Sequence, residues 1–112
     1  MTYATKFEKE IIRKLCNRYV SSELLDEILQ GEASDYEYSG CGYFLYFKHE
    51  DLPIQRIVCD EPKVMGEWNK IQSGFLVFLG ENELMLECHD WGGNDVPPNY
   101  RENDVLVSEI KI

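Results

Sequence analysis

Ser73-Gly-Phe-Leu-Val-Phe-Leu-Gly-Glu-Asn-Glu-Leu-Met-Leu-Glu-Cys-His-Asp-Trp-Gly-Gly93 is the stretch whose reading decides the fold. It reads as two strands joined by a tight turn at Gly80-Glu81-Asn82, then a polar elbow at His89-Asp90-Trp91-Gly92-Gly93. In the first arm Phe75, Val77 and Leu79 alternate with Leu76 and Phe78, so both faces are apolar. The second arm divides: Leu84, Leu86 and Cys88 point one way, Met85, Glu87, His89 and Trp91 the other. The first set reads as core. The second reads as a semi-apolar surface carrying a carboxylate, an imidazole and an indole.

Downstream, Gly92 to Asn99 is irregular by composition, with Pro97 and Pro98 favouring an extended path. Asp104 to Ile112 alternates again and predicts a closing strand at or near an edge. Upstream, residues 60–72 read as a loop containing Pro62, Gly66 and Trp68. Gln55 to Cys59 reads as a strand lying antiparallel to Tyr43-Phe-Leu-Tyr-Phe47. That aromatic strand is apolar on both faces, as a central or helix-covered strand would be. Glu32 to Gly42 reads as a polar, tyrosine-containing connection.

The chain opens with helices. Phe7, Ile11, Leu15 and Tyr19 recur every four residues, with Ile12 and Cys16 beside them, and predict an amphipathic helix over about 5–19. Glu10 is spaced to pair with Lys14. Ser21 or Ser22 supplies an N-cap for a second helix over about 22–30, with Leu24, Leu25, Ile28 and Leu29 on its buried face. Gly31 is read as its left-handed C′ residue. Helices first and hairpin-connected strands after them predict a single α+β domain over 1–112. Its two N-terminal helices would pack on one face of a mainly antiparallel sheet of about five strands.

Charge narrows the partners. With 11 basic and 21 acidic residues the formal net charge is −10. Residues 1–20 carry five basic residues against two acidic ones, so the remainder holds six against nineteen. Such a field repels nucleic acid, whose binding depends on neutralising phosphates, and repels anionic membranes. It favours basic protein partners. No apolar run approaches the ~20 residues of a membrane helix, and the charged N-terminus lacks the apolar stretch of a signal peptide. The expected location is therefore cytoplasmic, with Cys16, Cys41, Cys59 and Cys88 as free thiols.

Candidate chemistry is sparse. Glu87 and His89 share a strand face, but no nucleophile elbow or phosphate-cradling glycine loop accompanies them, so no catalytic residue is assigned. Cys88, His89, Cys59, Asp60 and His49 lack the short paired spacing of zinc ligands, so no metal or other cofactor is expected. What the chain does carry is acids beside aromatics. The candidate partner-binding residues are Asp35, Tyr36, Glu37, Tyr38, Glu87, His89, Asp90, Trp91, Asp95 and Tyr100, in which Trp and Tyr would anchor and carboxylates steer.

In size, acidity and lack of catalytic motifs, and in the stretches Asp35-Tyr-Glu-Tyr38 and Glu87-Cys-His-Asp-Trp-Gly-Gly93 through to Asp95, the chain resembles bacterial immunity proteins. The resemblance is one of class. It implies a stoichiometric inhibitor that neutralises a basic toxin domain, such as a nuclease, with acids plugging or flanking its active-site cleft. Two other readings differ in kind. One is a ligand-binding or enzymatic domain with a pocket lined by Tyr43, Tyr46, Trp68, His89 and Trp91. The other is a homo-oligomeric structural subunit that self-associates through the closing strand or the Tyr/Phe face.

Overall fold

Glu81 and Asn82 both take left-handed backbone angles (φ 53° and 61°), which suits a two-residue type I′ hairpin turn whose twist matches its strands. They join the two longest strands, as expected. A computed structural model describes residues 1–110. In chain order its elements are α1 (Lys6–Cys16), α2 (Ser22–Gln30), β1 (Asp35–Tyr38), β2 (Tyr43–Lys48), β3 (Ile57–Cys59), β4 (Lys63–Trp68), β5 (Ile71–Gly80), β6 (Glu83–Asp90) and β7 (Leu106–Ile110). A single 3-10 turn, Tyr100–Glu102, precedes β7. The class is α+β, and every strand pairing is antiparallel.

The sheet has seven strands where about five were expected, in the order β1-β2-β6-β5-β4-β7, with β3 also on β5. The two unanticipated strands came from segments read as connections. In β1 the acids Asp35 and Glu37 are poor strand formers, which hid the alternation of acids with Tyr36 and Tyr38. In β4, Pro62 and Gly66 look like breakers. Yet Gly66 is a close-packing position: a Cβ there would lie 2.7 Å from Val105 Cγ1. The β4–β5 turn places Asn69 and Lys70 in left-handed conformations (φ 51° and 65°) without the glycine that usually announces such a hairpin.

β3 pairs with β5 and not with β2, whose neighbours are β1 and β6. Asn82 explains the crossing. Its side-chain amide donates to the carbonyls of Glu50 (3.1 Å) and Leu52 (2.9 Å), and its backbone N–H donates to Pro53 (3.0 Å). The chain after β2 is thereby strapped across the β5–β6 turn and delivered to the far side of β5. That ten-residue strand is long enough to take β4 along its first half and β3 along its second. β7 ends the strand order, paired with β4. The expected closing strand continues to Ile112, and residues 111–112 lie outside those described.

Helix ends differ in detail. Ser21 Oγ accepts from the backbone N–H of Leu24 at 3.2 Å, the expected cap of α2. Gly31 is extended (φ −87°, ψ 171°) instead of left-handed, because the chain turns straight into a bridge between Tyr3 and Glu32. α1 stops at Cys16, so Tyr19 leaves the apolar stripe and is exposed. Lys14 reaches Glu109 of β7 at 3.3 Å.

The core lies on the sheet face that carries Tyr43, Leu45 and Phe47, Phe75, Val77 and Leu79, and Leu84, Leu86 and Cys88, all buried. Phe7 of α1 meets Phe75 edge-on at 6.2 Å between ring centroids, and Arg13 of α1 pairs with Asp26 of α2. The four cysteines are unpaired. Among the described residues no helix is long and apolar enough to cross a membrane.

Candidate functional site

Strand pairing assigns every side chain to one of the two faces of the sheet, and the faces differ in kind. On the core side the organising group is Glu8, which has no exposed surface. Its carboxylate accepts from the backbone N–H of Thr5 (2.8 Å), from the Tyr43 hydroxyl, and from Arg101 through Nε (3.0 Å) and Nη2 (2.8 Å). Arg101 also donates to the Tyr3 carbonyl (2.9 Å), and its guanidinium lies 5.2 Å from the Tyr36 ring centroid and 5.8 Å from that of Tyr43. Burial pushes the Tyr43 hydroxyl well above its ordinary pKa, and the charge of Glu8 adds to the rise. Burial works against the charge on Arg101, yet the hydrogen bonds and charge of Glu8 outweigh it and hold the guanidinium pKa above its usual value.

Three aromatic candidates belong to this side. Tyr36 packs against Tyr43 (5.7 Å) beneath Arg101. The Tyr38 hydroxyl donates to the Val96 carbonyl at 2.7 Å and so pins the loop that follows β6. Tyr100, expected at a partner surface, is 0% exposed. Its hydroxyl meets Ser73 Oγ at 2.8 Å, its ring stacks edge-on with Phe7 and Trp68, and burial pushes its pKa up to about 12. It therefore offers no surface to a partner. The indole and hydroxyls that look like anchors in sequence can equally fill a core, and proximity in sequence to acids does not tell these apart.

The opposite face is half-open. Register places Asp35, Tyr46, Met85, Phe78 and Val58 in one row across five strands. The next row is Glu37, Phe44, Glu87 and Leu76. Asp35, Glu37 and Val58 are exposed, and the others are partly so. A third row sets His89 beside Gly74 and Met65. Here the His89 ring stacks with Trp91 (6.4 Å, 29° between planes), and both rings lie on the Gly74 backbone. A Cβ at Gly74 would fall 2.5 Å from His89 Nε2 and 2.6 Å from Trp91 Cε3, so only glycine admits this stack. His89 Nδ1 lies 3.3 Å from a Glu87 carboxylate oxygen, without the alignment of a hydrogen bond.

Of the ten candidate residues, Asp35, Glu37, Glu87, His89 and Trp91 thus come together on or beside this outer face. Asp90 pairs with Ser73, which turns it to the core side of the strand, and Asp95 is exposed on the following loop. The face also contains Phe44, Tyr46, Met85, Phe78, Leu76 and Val58, none of them among the ten partner-binding candidates, although Tyr46 was expected in the alternative pocket. The alternation of Phe44 and Tyr46 with Leu45 was legible, but nothing in it said which face would lack a cover.

The five residues proposed to line one pocket are divided. Tyr43 and Trp68 lie on the core side; Tyr46 and His89 face out, with Trp91 stacked on His89. Among the described residues no three His, Cys, Asp or Glu side chains are grouped as metal ligands. What the outer face presents chemically is aromatic and thioether surface interleaved with carboxylates. Comparison with protein-family models, curated proteins and solved structures finds no match to this chain.

Proposed function

We propose that this chain is a protein-binding module that captures a basic protein domain on its outer sheet face, in the manner of an immunity-type inhibitor of a toxin. The observation that carries this reading is the register of the two central rows. Phe44, Tyr46, Met85 and Phe78 form a contiguous apolar centre, while Asp35 and Glu37 bound it on one side and Glu87 interrupts it. Aromatic residues and methionine with a polar rim are what a desolvated binding centre uses. The net charge of −10 selects a cationic partner and speeds its approach. Trp91, half-exposed beside His89, extends the face toward Asp95.

The test is capture from a lysate of the source cell by the intact chain and by a Phe44→Ser/Glu87→Gln variant. The reading expects a basic protein retained near one-to-one, released by salt, inhibited on binding, and lost with the variant. Equal retention by both baits would remove the outer face from the interaction.

Self-association through β7 is the second reading, favoured by Leu106, an exposed apolar residue on an edge strand. A monomer by light scattering at high protein concentration would end it.

A further inference from the structure

The apolar row of the outer face ends in a groove between β3 and the β5–β6 turn. Its volume is about 440 Å³, and Val58, Phe78 and Met85 form its floor as cross-strand neighbours. One lip carries Glu81, in the left-handed turn, and Glu83, the first residue of β6. Among the described residues neither carboxylate makes an ion pair or a side-chain hydrogen bond. Lys48 lies opposite Glu83 in register without pairing to it. Arg56 also lines the groove, with its backbone and stem resting on Gly80: a Cβ there would sit 3.3 Å from Arg56 Cα and 3.2 Å from its Cγ.

We infer that this groove is the anchor pocket for an arginine side chain of the basic partner, an inference that rests on the reading above. The shape and charge argue for that occupant. An arginine stem of three methylenes covers apolar floor while its head stays polar, and its planar fork offers several donors to the carboxylates that line the groove. A purely aliphatic side chain would fill the floor but leave both carboxylates without a partner. An acidic one would meet them head on.

The experiment is a titration of the intact, isotopically labelled chain with N-acetyl-arginine methylamide and, separately, N-acetyl-norleucine methylamide, followed by backbone amide NMR. The arginine probe is expected to give saturable shifts confined to residues 56–58 and 78–85, with affinity roughly tenfold above that of norleucine. The Glu81→Gln/Glu83→Gln variant should bring the two probes level while the remaining spectrum stays unchanged. Equal affinities in the wild-type chain, shifts that map elsewhere, or a variant that keeps the preference would each overturn the pocket. A basic partner captured through Phe44 and Glu87 while the arginine probe ignores the groove removes the pocket alone. Specific probe binding with no basic partner captured supports the pocket and removes the inhibitor reading.

Discussion

The two faces of this sheet use charge in opposite ways. On the core face, Glu8 and Arg101 are brought together from 93 residues apart, desolvated, and satisfied by Thr5, Tyr3 and Tyr43. On the outer face, Asp35 and Glu37 are exposed at the end of apolar rows and remain available to another molecule. A buried pair contributes little against an apolar alternative but makes either partner costly to remove, so it locks an arrangement. An exposed acid contributes little to the fold and is therefore free to serve binding. The lesson is that acidity alone does not mark a functional residue. Burial decides which role each carboxylate takes.

The comparison breaks most directly at Glu8. Glu8→Ala leaves the Arg101 guanidinium buried without its partner and should cost about 3–5 kcal/mol in urea unfolding. Replacing both, as Glu8→Leu with Arg101→Met, should recover most of that. A cost below about 1 kcal/mol for the single change would deny the pair its locking role.

Gly74→Ala strikes the outer face at a sterically exacting point. The new methyl must displace His89 and Trp91, at a cost of about 1–3 kcal/mol, and the Trp91 emission should shift as its stack opens. An unchanged emission spectrum would mean that the two rings do not need bare backbone beneath them.

Tyr100→Phe leaves Ser73 short of its hydroxyl partner and should cost about 1 kcal/mol at neutral pH. The same residue sets an alkaline limit. Its pKa is raised by burial from an unfolded value of about 10 to about 12, so the stability it contributes is fully present below pH 10 and is lost as pH rises toward 12. Tyr43 and Tyr36 are shifted in the same direction, both chiefly by burial. The wild-type chain should therefore lose stability over that window, and the variant should lose less. Parallel alkaline profiles for the two would remove Tyr100 from the effect.

The smallest change in stability belongs to the outer acids. Glu37→Gln and Glu87→Gln should each leave the unfolding midpoint within about 0.5 kcal/mol of wild type, while the proposed inhibitor reading expects each to weaken capture of a basic protein. A large loss of stability from either would place that carboxylate in the fold, and the contrast between the faces would fail there.

Much of the fold was legible locally. The α2 cap at Ser21, the stripe of Phe7, Ile11 and Leu15, and the hairpin about Glu81-Asn82 each follow from patterns within a few residues. The division of Met85, Glu87 and His89 from Leu84, Leu86 and Cys88 was equally plain. β1 and β4 were hidden because acids and a glycine weaken strand signals that only pairing can restore. The site was half legible: Glu37, Glu87 and His89 emerge on the outer face, Tyr100 does not, and Phe44 and Phe78 join unannounced.

By itself, then, the sequence determined the class, the two helices, the central hairpin and the acidic net charge of the chain. Those depend on periodicity and summed charge, which are properties of the chain before it folds. Only the tertiary structure decided which face of β2 and β5 would be buried, where β3 would pair, and that Arg101 would seek Glu8. A period of two shows that neighbouring side chains oppose each other but not which set meets the core. That choice is made when distant segments close on one another, where Asn82 straps the chain after β2 and Arg101 satisfies a carboxylate that water no longer reaches.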